Sequence, residues 1–128
     1  MAEMWNGVAD GWERNADFVD EHLAAATRVL LDAADVGEGD EVLELACGPG
    51  GVGIAAAGRV GPTGRVTLAD VAEAMVAIAE TRAARRGPVG TLVCDQGAIP
   101  APDASYDAVL SRHGLMFADD PAAAVGEA

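Results

Sequence analysis

The stretch Glu41-Val42-Leu43-Glu44-Leu45-Ala46-Cys47-Gly48-Pro49-Gly50-Gly51-Val52-Gly53 decides the fold. Its first six residues form a short, mostly apolar run, the pattern of a strand buried on both faces. Glycines follow at once in a G-x-G-x-x-G arrangement from Gly48 to Gly53, and residues 52–60 then read as an alanine-rich helix. Glycine between a strand and a helix lets the backbone turn sharply and lets a ligand approach without meeting a Cβ. Taken alone, such a loop is a weak signal, so its neighbours carry the argument.

Downstream, Gly61-Pro62-Thr63-Gly64 is a turn, and Arg65-Val66-Thr67-Leu68-Ala69 is a second strand that stops at Asp70. Residues 72–86 suit a helix with Met75, Ile78 and Ala79 on one face, broken by Gly87-Pro88. Thr91 to Cys94 reads as a third strand and Tyr106 to Ser111 as a fourth, with a loop over 95–105 between them. Upstream, Val19, Leu23, Ala26 and Leu30 recur at helical spacing and predict one apolar face, ended by Gly37-Glu38-Gly39-Asp40. Strands alternating with helices of this length imply βαβ units on a parallel sheet, with right-handed crossovers placing helices on both faces. Near the end, Asp120-Pro121 is a good helix start, with a capping side chain before a proline. The residues after it are few, so the pattern reads as a domain truncated after the fourth strand. Residues 1–36 are expected to form N-terminal helices and 37–128 the incomplete α/β domain.

Composition narrows the class. Of 128 residues, 51% are hydrophobic and 23% charged, the balance of an ordinary globular domain. Only five residues are aromatic, so small side chains must build the core. The net charge is −13, and all eight basic residues are arginines. Duplex binding needs a basic stripe against the phosphates, and Arg82, Arg85 and Arg86 read instead as the solvated end of a helix. Nucleic acid is therefore not the expected partner, whereas a cationic or neutral small molecule suits the field. Cys47 and Cys94 lack metal-ligand or redox spacing and read as free thiols. No signal peptide or membrane-length apolar run is seen, and a cytoplasmic location is expected.

Asp70 lies twenty positions after Gly50, at the end of the next strand, where a carboxylate can accept hydrogen bonds from both hydroxyls of a ribose. Strand, glycine loop, helix, strand and terminal acid together form an adenosine-binding signature. Two cofactor chemistries share it, and Glu44 separates them. An acid inside the first strand would repel a pyrophosphate at the helix N-terminus. It would favour a sulfonium and an ammonium, so the charge pattern prefers S-adenosylmethionine over a nicotinamide dinucleotide.

These segments resemble the class I S-adenosylmethionine-dependent methyltransferases, in the small-molecule branch that includes ubiquinone and menaquinone methyltransferases. Glu41 to Gly51 is similar to that family's first motif, and Val66 to Met75 to its second-strand segment. Cys94 to Asp107 resembles a later stretch of the form D-A-E-x-L-P-F-x-D-x-S-F-D, and Ser111 to Phe117 the segment after the fourth strand. The resemblance implies a Rossmann-like three-layer sandwich, S-adenosylmethionine as cofactor and a small-molecule methyl acceptor. By the same resemblance Glu44, Ala46, Cys47, Gly48 and Gly50 would hold the methionyl part. Asp70, with Val71 beside it, would hold the ribose, and Met75 would pack on the adenine or simply fill core. Asp95 would accept from the adenine amino group, with the Gln96 backbone adjacent. Ser111 and Arg112 would offer carbonyls to the methionyl amine. Trp5 and Trp12 form either a cofactor lid or a packing stripe. Gln96-Gly97 departs from the usual Ala-Glu, and His113 from the usual phenylalanine, a tolerated change or a general base. Asp103 and Asp107 are expected to serve the loop and the strand start.

Two other readings stay open on the residues alone: a cofactor-binding fragment without activity, and an NAD-dependent oxidoreductase. The family's sheet has seven strands, so a chain that stops after four would expose the fourth as a long edge through which copies could associate.

Overall fold

The computed structural model describes residues 2–84, 86–95, 98–100 and 105–111. Helix α1 runs over Ala2–His22 and α2 over Ala24–Ala33, followed by strand β1 at Glu41–Glu44. Helix α3 spans Gly51–Val60, β2 Arg65–Asp70, α4 Glu73–Ala83, β3 Val89–Val93 and β4 Ala108–Leu110. A single 3-10 turn, Gly61–Thr63, joins α3 to β2.

The four strands are parallel in the order β3-β2-β1-β4. Glu41 to Glu44 stand opposite Arg65 to Leu68, while Val42 to Glu44 face Ala108 to Leu110 on the other side. The chain thus steps outward through β1, β2 and β3, then returns to the far side of β1. Ligands of open α/β sheets sit at such a reversal, outside the carboxyl ends of the strands.

Two successive right-handed crossovers in one direction put α3 and α4 on the same face. There Val42, Val66 and Leu68 pack with Val52, Ala56 and Val60 of α3, Ala79 and Ala83 of α4, and Leu31 of α2. The opposite face carries Leu43, Leu45 and Ala69 under Ile99, Tyr106 and Val109. The helix that begins at Asp120-Pro121 in the sequence reading lies outside the described residues, as does His113. The small side chains are consequential here: Ala9 of α1 lies against Met75 and Ile78, which lets α1 rest closely along α4.

Several expected boundaries move. Residues 1–36 give two helices, because Leu23 interrupts the run as a single turn residue. The expected stripe shifts with it: Thr27 and Leu31 are buried in α2, whereas Ala26 is exposed. Strand β1 stops at Glu44 because Ala46 turns the chain in the left-handed region, at φ +51°. Helix α4 ends at Ala83, where Ala84 becomes extended. Strand β3 begins two residues early, at Val89, drawn into pairing with Val66. Strand β4 is three residues long, shorter than the expected run from Tyr106 to Ser111. Among the described residues, no helix is long and apolar enough to cross a membrane.

Candidate functional site

Parallel strands deliver their last residues to one end of the sheet, and there the chain gathers its buried acids. Glu44 closes β1 and is only 2% exposed; Asp70 closes β2 and is 8% exposed. Each carboxylate is held by backbone N–H groups of the glycine loop or its flanks. Glu44 Oε1 accepts from Gly53 in the first turn of α3, at 2.8 Å. Asp70 Oδ2 accepts from Gly48 at 2.9 Å, and its Oδ1 accepts from Ala72 at 3.0 Å. A charged acceptor on such donors is stronger than a neutral one, which lets both acids remain buried. Asp70 also has lone-pair capacity beyond its two bonds.

The loop between them is shaped by close approach. Gly50 caps α3 in the left-handed region at φ +88°, and a Cβ there would come within 3.0 Å of Leu68. At Gly53 a Cβ would fall 2.0 Å from Leu68 and 3.0 Å from Glu44 Oε1, so glycine is what lets the helix lie on the strand. At Gly48, by contrast, a Cβ would meet nothing within 4 Å among the described residues. The loop is therefore packed on its sheet side at Gly50 and Gly53 and open at Gly48.

Cys47 is anchored by its N–H on the Ala69 carbonyl, 2.9 Å, and its thiol points to the Gly48 carbonyl at 3.4 Å. Burial, reinforced by the charges of Glu44 and Asp70, pushes this thiol well above its ordinary value of 9.0. It stays a neutral thiol.

The other expected site residues fall as follows. Val71 forms the half-buried turn after β2. Met75 is 2% exposed, beneath Trp5 and beside Ala9. Asp95 is exposed, two residues past β3, with its carbonyl accepting from Ala98. Ser111 follows β4 directly, across the reversal from β1, and its Oγ is buried with no hydrogen-bond partner among the described residues. Gln96 and Arg112 lie outside the described residues, as does Asp103. Asp107 sits at the opposite end of the sheet, where its carboxylate accepts from the Glu41 N–H at 2.7 Å. Trp5 and Trp12 pack against each other with ring centroids 6.3 Å apart.

Arg82 departs from the solvated helix end that its position in the sequence suggests. Its side chain is 19% exposed. The guanidinium donates to the Pro49 carbonyl in the glycine loop at 2.8 Å, and to the carboxylates of Asp17 and Asp20 on α1. The signal was present: Arg82 lies seven positions after Met75, on the stripe that also carries Ile78 and Ala79.

Known proteins resemble this chain in sequence and in fold. Residues 42–128 match the family model described as a methyltransferase domain. The chain is 33% identical, over 99% of its length, to the ubiquinone/menaquinone biosynthesis C-methyltransferase UbiE of Xanthomonas oryzae, covering 52% of that protein. It is 42% identical, over 81% of its length, to the nocamycin O-methyltransferase of Saccharothrix syringae, covering 38% of it. The chain thus spans about half or less of the curated relatives it matches. Among solved structures, a SAM-dependent methyltransferase from Aquifex aeolicus superposes with a TM-score of 0.72 at 25% identity, over 79% of this chain and 55% of that one. None of these names is that of a dinucleotide-dependent oxidoreductase, the competing reading of the glycine loop. With the acid-flanked loop at the sheet reversal, the family model and the relatives in agreement, the chain belongs to the class I S-adenosylmethionine-dependent methyltransferases.

Proposed function

We propose that this protein binds S-adenosylmethionine across the carboxyl ends of β1 and β2 and presents its methyl group to a small organic acceptor. The observation that carries the reading is the pair of buried carboxylates, Glu44 and Asp70, each fixed by loop N–H groups at the sheet reversal. The residues fit the ligand. Among the described residues, nothing crowds the loop at Gly48 and Ser111 brings a buried hydroxyl without a partner. A pyrophosphate at the start of α3 would instead face Glu44 and Asp20.

Bound there, S-adenosylmethionine supplies an electrophilic methyl group on a cationic sulfur. Asp70 keeps lone pairs for the ribose hydroxyls after accepting from Gly48 and Ala72. Glu44 and the backbone of Ala46, Cys47, Gly48 and Gly50 hold the methionyl part, with Ser111 across the reversal; Arg112, outside the described residues, keeps the carbonyl role that the family resemblance gives it. Val71, Met75 and Asp95 border the adenosine, Gln96 keeps the adjacent backbone role that the family resemblance gives it, and the helices of residues 1–36 flank the pocket. Cys47 keeps its proton, so no thiolate stands beside the electrophile as a competing nucleophile. Methyl transfer from a sulfonium is an in-line displacement, in which the protein contributes alignment and exclusion of water. The acceptor atom is oxygen, nitrogen or carbon, and both cysteines being free suits a reducing cytoplasm.

Titration calorimetry tests this with S-adenosylmethionine, S-adenosylhomocysteine and NADH. Heat is expected from the first two; heat from NADH alone overturns the reading. Glu44→Gln retains an acceptor for Gly53 but removes the charge. It should weaken S-adenosylmethionine by on the order of 1 kcal/mol, the scale of one screened charge interaction, and the uncharged-sulfur product by less.

A further inference from the structure

The glycine loop is joined to the N-terminal helix through one side chain. Arg82 Nη1 donates to the Pro49 carbonyl at 2.8 Å, and the Gly50 N–H of the same peptide unit donates to the Cys47 carbonyl at 2.9 Å. Both polar atoms of the Pro49–Gly50 peptide are therefore held, which fixes its plane at the point where Gly50 enters the left-handed region. Arg82 Nη2 reaches Asp20 and Asp17 of α1. Asp20 lies directly over the start of α3: a Cβ on Gly51 would stand 2.0 Å from its Oδ1. The other end of α1 is tied separately, by Asn6 Oδ1 accepting from the Ala74 N–H at 2.9 Å. Helix α1 is thus fastened along α4 at these two places, and of the two ties the Arg82 one reaches the loop.

We infer that Arg82 is a positioning residue for the cofactor: it couples the docking of α1 to the conformation of the loop at Pro49–Gly51, so that cofactor affinity depends on an ion pair outside the ligand's own contacts. This rests on the proposed cofactor reading. The physical basis is population: if the ordered loop with α1 docked is the binding-competent state, weakening the latch lowers its fraction and raises the apparent Kd in proportion. The three acceptors on one guanidinium make arginine hard to replace. Lysine can pair with the acids as a point charge but lacks the planar fork that serves Pro49 as well.

Amide hydrogen exchange and calorimetry with S-adenosylhomocysteine on Arg82→Met, Arg82→Lys, Asp20→Asn and the Arg82→Met/Asp20→Asn pair test the inference. In the ligand-free protein, Arg82→Met should speed exchange in the second half of α1 while β1 and β2 stay protected. Its Kd should rise about five- to tenfold, the range expected when the competent fraction falls by that factor. Arg82→Lys should lie between it and the natural chain. Asp20→Asn should weaken binding by itself but add little to Arg82→Met, because the two share one interaction. Unchanged exchange in α1, additive losses, or protection lost evenly across the sheet in both Arg82 variants would each overturn the inference. If the natural chain binds neither S-adenosylmethionine nor its product, the cofactor reading fails, while the exchange pattern still judges whether Arg82 latches α1.

Discussion

The two ends of the sheet use the same materials for different purposes. At the amino end, Asp107 and Glu41 exchange two hydrogen bonds, Asp40 accepts from the N–H groups of Gly37 and Arg65, and Gly64 is pressed against Val60 and the Asp40 carbonyl. A crevice of about 390 Å³ opens there between Glu41, Arg65, Gly87 and Pro88. These polar groups close strand starts. At the carboxyl end, Glu44 and Asp70 are more deeply buried, their partners are N–H groups of the glycine loop and its flanks, and Ser111 brings a buried hydroxyl without a partner among the described residues. This crevice lies at the end of the sheet away from the two buried acids. Parallel strands explain the asymmetry, since every strand ends at the same side and the loops that follow are free to vary around a fixed frame.

The comparison can be broken most forcefully through the core. Leu68, fully buried, lies under both Gly50 and Gly53, while Val66, equally buried, lies nearer the strand start and meets a Cβ on Gly53 at 3.3 Å against 2.0 Å for Leu68. Leu68→Ala should cost about 2–5 kcal/mol in urea denaturation. Val66→Ala should cost less, and at concentrations where both variants remain folded only Leu68→Ala should weaken S-adenosylhomocysteine. Equal weakening by the two would mean that the loop draws on the whole sheet rather than on its own end.

The acids give the next contrast. Asp70→Ala should weaken cofactor binding by about 1–3 kcal/mol, the worth of hydrogen bonds to a charged group. Asp107→Ala, at the other end, should lower stability slightly and leave affinity alone. An Asp70 variant with unaltered affinity would place the ribose elsewhere.

The smallest effect is a pH dependence confined to the carboxyl end. Because burial raises the Cys47 thiol, the folded chain keeps a proton that the unfolded chain releases above about 9.0. Unfolding is then favoured as pH rises. The stabilising contribution is complete below that value and declines above it, by up to about 1.4 kcal/mol per pH unit until the folded thiol itself titrates. Cys47→Ala should flatten that decline in melts taken between pH 8 and 10.5. An identical slope in the variant would show that other groups carry it.

Much of this was legible in the residues. The apolar run before Gly48 announced β1, and the spacing from Gly50 to Asp70 placed the second acid one strand over. Both signals are local: a strand's apolar pattern and a turn's glycines follow from the dihedral and burial preferences of neighbouring residues. The exact ends of elements were less readable. Val89 joins β3 because Val66 offers it a partner, and Leu23 divides the N-terminal helix without a proline or glycine to mark the break.

What the sequence determined by itself was the order of elements, the glycine loop and the two acids beside it, because each depends on residues close together in the chain. Only the tertiary structure decided what Arg82 does. Its three acceptors come from the glycine loop and from a helix more than sixty positions away, and no local pattern pairs them. The same holds for the reversal between β1 and β4, which pairs Glu44 with Leu110, the residue before Ser111. Such contacts exist only once the chain has closed on itself, since hydrogen bonds and charge pairs depend on distance in space and not on separation in sequence.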